Sequence, residues 1–536
     1  MTRNSQTDLA WRYHDLTKHS YSSIRTSPHY LDWSNQPSPF KIYPSIHPIT
    51  LPVELSSSGV RALDAIASPR VQASGEVKPS LEQLASLLLY SAGVMREKKY
   101  PGGAFYFRAA ACAGALYPTE IYVVCGDIDQ LAAGVYHFNP GDFSLRRLRD
   151  GDHRHALVGA TASEPAVASA PVILVYSAIS FRSTWKYRDR AYRYHFWDNG
   201  MILANALAMA AAQRLPAEVV VGFVDSGVNR LIGIDGRSEL PLSMLALGHT
   251  DGASPASHSA SDLPELNLEM IPVSPAPVDY ASIREMHDAS SLTDAGEVGL
   301  WRKGAFAREV SNPEGKLIPL TALRDDQLPE ATIEAVIEHR GSTRRFARKP
   351  ILFRDLSTML DRATRGIPID CLDRDSQPRS ASCQPAGFPE TQAGSLLHIN
   401  DLYLIVNRVE GLEPGAYFYR QDERAVEMLK AGDFSAKASY LALEQDLGGD
   451  ASATMFFMVD LEAVFASLGN RGYRAAQLEA GIIGGKIYLA AYALGRGATG
   501  LTFFDDDVTE FFSPHARGKS CMLVVSVGVP GKRLVY

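Results

Sequence analysis

Five cations fall within ten residues of IEHRGSTRRFARKP (337–350): Arg340, Arg344, Arg345, Arg348 and Lys349, with Ser342 and Thr343 between them. Guanidinium forks and hydroxyl donors at that spacing suit a dianionic phosphate, although the same run also describes a solvated basic helix end. The far end of the chain favours the phosphate, because the last apolar run is followed by Gly528–Gly531 and then by two more cations, Lys532 and Arg533. A second constellation is Lys186–Tyr187 in TWKYRDRAYRY (184–194). An amine shifted by burial and by a neighbouring cation can serve as a general base, and a surface Lys beside a packed Tyr is the plain alternative. Cys112 sits in a run of small residues and reads first as a small buried thiol.

These residues are set in a chain that repeats itself. RAYRYHFWDNGMILANALAMAAA (190–212) and RGYRAAQLEAGIIGGKIYLAAYA (471–493) share Arg190/Arg471, Tyr192/Tyr473, Arg193/Arg474, Asp198/Glu479 and Gly200/Gly481, every pair 281 positions apart. Gly134/Gly415, Tyr136/Tyr417 and Tyr122/Tyr403 keep that offset upstream, and VGFVDSGVNRL (221–231) meets LTFFDDDVTEF (501–511) at 280. A register held over more than 100 residues with one slip marks a tandem duplication. Short β-rich apolar runs alternate with helical patterns in each copy, and the two long segments are apolar nearly all round. A helix of that kind must be buried on every side, which predicts that both sit at the junction of the halves, like a dimer fused into one chain. The expected division is copy one over 1–250, a Ser/Pro/Ala-rich linker over 251–330 and copy two over 331–536.

Composition narrows the function classes. The 536 residues include 53 Lys+Arg against 60 Asp+Glu, a net charge of −7, so the basic footprint of a nucleic-acid binder is missing. Five cysteines, Cys112, Cys125, Cys371, Cys383 and Cys521, form no CxxC pair and read as reduced thiols, with no metal site expected. The first twenty residues show no signal-peptide pattern, and no apolar run reaches the roughly 18 residues of a membrane span. A cytoplasmic protein without membrane or nucleic-acid partners is expected.

RGSTRRF (340–346) resembles the RRSxRxF phosphate-gripping motif of the FMN-dependent nitroreductase superfamily, with Gly341 departing from the second Arg. RAAACAGALYPTEIYVV (108–124) resembles that superfamily's flavin-facing loop and following strand. It is most similar to the SagB-type dehydrogenase branch and its R-x-x-P-S-x-G-A-L-Y-P-x-E pattern, with Ala111 and Cys112 standing in for Pro-Ser. LLLYSAGV (87–94), GVYHF (134–138) and the Lys186–Tyr187 segment fit the same branch. The resemblance implies an α+β, three-layer fold in two nitroreductase-like copies forming an intrachain pseudo-dimer. It also implies an FMN at the interface, its phosphate on Arg340, Ser342, Arg344, Lys532 and Arg533. Thr499–Gly500–Leu501 would lie near flavin N5, with Arg108, Ala109, Ala111 and Cys112 covering the ring. Copy one offers only Gly248–Asp251 and, at TKHSYSS (17–23), a single Lys18 as counterparts to the phosphate set, so one FMN per chain is expected. Lys186–Tyr187, opposite Ser467–Leu468 in copy two, resembles the Lys-Tyr pair of azoline-oxidising members. The implied activity is dehydrogenation of an azoline or similar heterocycle in a modified peptide, alongside peptide-modification partner enzymes. The alternatives are an NAD(P)H-dependent reductase of small electron-poor molecules and a non-catalytic subunit of a modification complex.

Overall fold

The computed structural model describes residues 2–26, 29–68, 71, 75–100, 103–251, 263–304, 306, 312–372 and 398–531. Lys532, Arg533, Cys383 and most of the loop before Asn400 lie outside them. In copy one, strand β1 (Pro48–Thr50) is followed by a separate hairpin, β2 (Val94–Tyr100) and β3 (Gly103–Arg108). Then come β4 (Thr119–Cys125), β5 (Gly134–Asn139), β6 (Ser144–Asp150), β7 (Val172–Ile179), β8 (Ala217–Val220) and β9 (Glu239–Leu247). Copy two supplies β10 (Lys316–Pro319), β11 (Asp401–Val406), β12 (Gly415–Arg420), β13 (Ala425–Ala431), β14 (Ala453–Val459), β15 (Gly497–Leu501) and β16 (Ser520–Gly528). The sheets are ordered β1-β6-β5-β4-β7-β9-β8 and β10-β13-β12-β11-β14-β16-β15, so the second repeats the first strand for strand. All strand pairings within these two sheets are antiparallel.

Ten helices position the site: α1 (Asp8–Leu16), α2 (Ala62–Ala67), α3 (Leu81–Ala92), α4 (Ser180–Tyr187), α5 (Ala191–Ala212), α6 (Ala281–Ala289), α7 (Ile333–His339), α8 (Phe353–Ala363), α9 (Leu461–Leu468) and α10 (Arg471–Ala493). The start of α3 is fixed by a capping box between Ser80 and Gln83, which satisfies two N-terminal donors at once. On β4 the alternation is legible: Ile121 and Val123 join the core toward the central helices, while Tyr122 and Val124 join a second core on the sheet's other face. Layers on both faces of sheet one accord with a three-layer α+β fold.

Helices α5 and α10 are buried almost throughout and cross at the junction, as their all-round apolarity requires. They meet at Gly200 and Gly481, where a Cβ on Gly200 would lie 2.6 Å from Gly481 Cα. The shared Arg and Tyr residues serve the junction and not the chemistry. Arg190 and Arg193 bind Asp505 of copy two at 2.9 and 2.7 Å, and Arg471 and Arg474 bind Asp225 of copy one at 2.6 and 2.7 Å. Tyr473 meets His14 and Tyr192 meets His287, each at 3.2 Å. Removing one partner of such a buried pair typically costs about 3–5 kcal/mol, because the other charge is left uncompensated.

This symmetry corrects the division drawn at 331. His14 lies on α1 and His287 on α6, in equivalent networks, and β10 is the edge strand of sheet two as β1 is of sheet one. The chain from about 281 onward is therefore the N-terminal arm of copy two and not linker. Among the described residues, no helix is long and apolar enough to cross a membrane.

Candidate active site

Leaving α7, residues 340–347 run as a strap along the edge of sheet two. Thr343 N donates to Ala498 O (2.8 Å), Ala347 N to Val529 O (2.9 Å) and Gly531 N to Arg345 O (2.8 Å). The basic run is thus anchored beside the strand end from which Lys532 and Arg533 continue. Tyr488, from α10, ties the strap to β15: its hydroxyl accepts from Gly500 N and bonds Ser342 and Thr499. Burial raises its pKa, so it stays neutral. Thr499 and Leu501 are buried, whereas Gly500 is exposed, and a Cβ there would meet nothing closer than Tyr488 Oη at 3.6 Å. The result is an open strand edge beside a strap bearing Ser342 and the exposed Arg344.

Arg340 does more than the motif suggests. Its Nε donates to Ala109 O (2.8 Å) and its Nη2 to Arg108 O (3.0 Å), so it pins the copy-two strap to the copy-one loop. Arg108 contributes that carbonyl, while its own guanidinium turns away to Pro39 O (2.6 Å) and packs over Tyr117. Burial lowers the Arg108 pKa to about 10. Of the ring-covering set expected from the sequence, Ala109 is buried and, like Arg108, offers its carbonyl to Arg340, and Arg108 also lines a small cavity. Ala111 and Cys112 line the same cavity with Asp198 and Ile202.

The loop after Ala111 is held from beneath by Asp198 of α5. Ala113 N donates to Asp198 Oδ1 (2.8 Å) and Cys112 Sγ to Oδ2 (3.2 Å). Burial pushes the Asp198 carboxyl up to about 7; burial and that carboxylate together push the Cys112 thiol up. Cys112 is a half-buried thiol that donates to Asp198. Asp198 escaped the sequence reading as a site residue. Its signal was the Asp198/Glu479 pairing, since Glu479 takes Ile399 N and Asn400 N (both 2.8 Å) at the equivalent loop of copy two.

Above this loop stands the end of α4. Tyr187 stacks on Tyr194 with ring centroids 4.2 Å apart, and Lys186 is exposed. Their head groups lie together over Gly114: a Cβ there would be 2.8 Å from Tyr187 Oη and 3.3 Å from Lys186 Nζ. Gly114 has φ +64, the left-handed region that glycine adopts without strain. Burial and the neighbouring Tyr194 raise the Tyr187 pKa, and the Arg344 charge acts against them.

The equivalent place in copy one is filled by protein. Strand register sets Val220 opposite Met244 where Gly500 stands opposite Val525. Val219 N donates to Pro368 O (2.7 Å), and Ile369 pairs with Val219 in parallel. The Asp370 carboxylate accepts from Val221 N (2.8 Å) and Gly222 N (3.0 Å), which a segment of copy two thereby seals. The expected counterpart of the strap at 17–23 is also corrected. Phe346 pairs with Pro530 as Val77 pairs with His249, so Val77, and not a residue of 17–23, stands where Phe346 does. Thr17 and His19 serve the Arg193–Asp505 network instead, because the duplicated unit begins with α1.

Two stretches of the chain, residues 72–249 and 337–529, match the model of the nitroreductase family. A nitroreductase-type protein of Methanocaldococcus jannaschii is 31% identical over 169 residues, 32% of this chain and 80% of that protein. The microcin B17-processing protein of Escherichia coli is 28% identical over 140 residues, 25% of this chain and 52% of that protein. A crystal structure of a nitroreductase-type protein from Anabaena variabilis superposes with a TM-score of 0.72 at 24% identity, covering 98% of this chain and 99% of that one, and so shares the two-copy fold. With well over half its length matched, in one stretch per sheet, the chain belongs to the nitroreductase family.

Proposed function

We propose that the protein is an FMN-dependent dehydrogenase that oxidises an azoline or similar ring in a modified peptide, with one cofactor per chain. The observation that carries this reading is the convergence of Lys186 Nζ and Tyr187 Oη over Gly114, opposite the copy whose strand edge is open. The donor set fits FMN: Ser342 and Arg344, with Lys532 and Arg533 continuing from the same strand end, suit one terminal phosphate. The exposed edge at Gly500 leaves room for a flat ring against backbone. Similarity to a protein named for processing microcin B17 supports a peptide as the substrate.

Bound there, FMN supplies an acceptor for two electrons as hydride. Azoline oxidation removes a hydride and a proton from adjacent ring carbons as the double bond between them forms. The Lys186 amine takes the proton. Tyr187, held protonated by burial, orients the substrate or the amine. The Asp198-anchored loop fixes the floor on which both act.

The test compares turnover of a thiazoline-containing peptide by wild type, Lys186→Ala and Tyr187→Phe. A positioned base contributes on the order of 10²–10⁴-fold, so Lys186→Ala should lose turnover on that scale at unchanged flavin content and thermal stability, with a smaller loss for Tyr187→Phe. Rapid flavin reduction by NAD(P)H that Lys186→Ala leaves untouched, with no azoline oxidation by wild type, would instead make the protein a simple reductase.

A further inference from the structure

The β2–β3 hairpin stands apart from both large sheets and ends at the candidate site. Beyond an irregularity at Met95, Arg96 pairs with Phe107, Lys98 with Phe105 and Tyr100 with Gly103, which sets these side chains on one face. The Arg96 guanidinium lies over the Phe107 ring at 4.7 Å, and the Tyr100 and Phe105 rings are 5.1 Å apart. The other face carries Tyr106, which packs on Phe40 of the protein body at 4.8 Å, so the cationic-aromatic face looks outward. Tyr100 is 44% and Phe105 51% exposed. Among the described residues, neither Arg96 nor Lys98 has a carboxylate within ion-pair distance; Lys99 has Glu97 at 3.8 Å.

We propose that this hairpin is the docking arm for an extended, acidic stretch of the polypeptide substrate, which lies along its outward face and leads the reacting ring to Lys186. The inference rests on the peptide-oxidising reading above. Three features select this occupant. Arg96 and Lys98 form a local positive face on a chain of net charge −7, which attracts a peptide anion without making the whole molecule a polyanion binder. Exposed aromatics set in a row beside cations are what an interface covers at its centre. A lone two-stranded ribbon is marginal in water, and its free edges offer backbone donors and acceptors to an added strand.

Continuity with the site supplies the direction. β3 ends at Arg108, whose carbonyl accepts from Arg340, and six residues later Gly114 lies under Lys186 and Tyr187. That span is at most about 20 Å of extended chain, so one short peptide segment can reach from hairpin to amine.

The experiment measures fluorescence anisotropy of a labelled decapeptide of alternating Glu and Val on flavin-loaded protein, with an alternating Lys and Val decapeptide as comparison. The acidic probe should bind and the basic one should not. Arg96→Glu combined with Lys98→Glu should weaken acidic binding at least tenfold. Phe105→Ser, a second variant with no change of charge, should weaken it as well. Lys437→Glu, a surface change elsewhere, should leave it unchanged. No binding of the acidic probe, equal binding of the basic one, insensitivity to both hairpin variants, or displacement by NADPH would overturn the proposal. Binding requires no turnover, so a failure of azoline oxidation would remove the catalytic reading while this readout still judged the hairpin.

Discussion

Asp198 shows how one buried side chain joins fold to site. In an unfolded chain its carboxyl titrates near 3.9, and burial raises it to about 7 here, so between those values the folded protein holds a proton that the unfolded chain has released. Its contribution to stability is thus present in full below about pH 4, declines as pH rises, and is gone by about pH 7. Asp198→Asn should flatten the decline in unfolding free energy between about pH 5 and 7, read from urea melts. One proton held only by the folded state gives a slope of at most about 1.4 kcal/mol per pH step of one, which is the largest change the substitution can make. An unchanged slope would show that this carboxyl titrates normally. The strap residues divide in another way. Arg344→Ala should cost roughly 1.5–3 kcal/mol of FMN affinity, the scale of a charge-assisted hydrogen bond. Lys18→Ala should cost none, because Lys18 is committed to Asp15 (2.8 Å) and Asp506 (2.9 Å). Equal losses at the two positions would reassign the phosphate. Arg340 is a poorer probe, since its bonds to Ala109 and Arg108 also join the two copies.

At the scale of elements, β15 and β8 differ in what stands against them. Gly500 is exposed, its N–H taken by the Tyr488 hydroxyl, while its counterpart Val220 is buried and the neighbouring Val219 is paired by the 368–370 segment. The segments after α3 and α8 differ: one is the β2–β3 hairpin beside the open site, and the other includes the residues that pair with Val219 at the second. Gly500→Val copies the closed strand into the open one. A Cβ at Gly500 makes only ordinary contacts, so the apoprotein should melt as wild type does. FMN affinity should fall at least about tenfold, or about 1.4 kcal/mol, by fluorescence titration. Unchanged affinity would mean that no ring approaches this edge.

The whole molecule is a pseudo-dimer whose halves exchange more than a surface. Arg190 and Arg193 of copy one hold Asp505 of copy two, Arg471 and Arg474 of copy two hold Asp225 of copy one, and α5 and α10 cross at paired glycines. The candidate site itself takes its strap from one copy and its loop and Lys-Tyr pair from the other. Saturated protein should accordingly release one FMN per chain, and not FAD, on denaturation. Two per chain would show that the sealed site opens.

The duplication was plain in the sequence because the residues at the copy interface, Arg190/Arg471 and Gly200/Gly481 among them, answer to the same buried geometry twice and so keep the same identity at a constant offset. The basic strap was legible for a related reason: a run of Arg around Ser342 and Thr343 is a matter of residue type, and residue type is what a sequence displays. The arm that opens copy two was not legible. Between α1 and α6 the shared chemistry is little more than His14/His287 and its neighbour Asp15/Asp288, too few residues to hold a register. Nor could a sequence show that residues 368–370 lie against Val219, that the Arg108 guanidinium reaches Pro39, or that Asp198 is buried beneath the loop at Ala113. Each depends on contacts between segments far apart along the chain, and the free energies that select them, from burial, register and paired charge, exist only once the two copies have packed together.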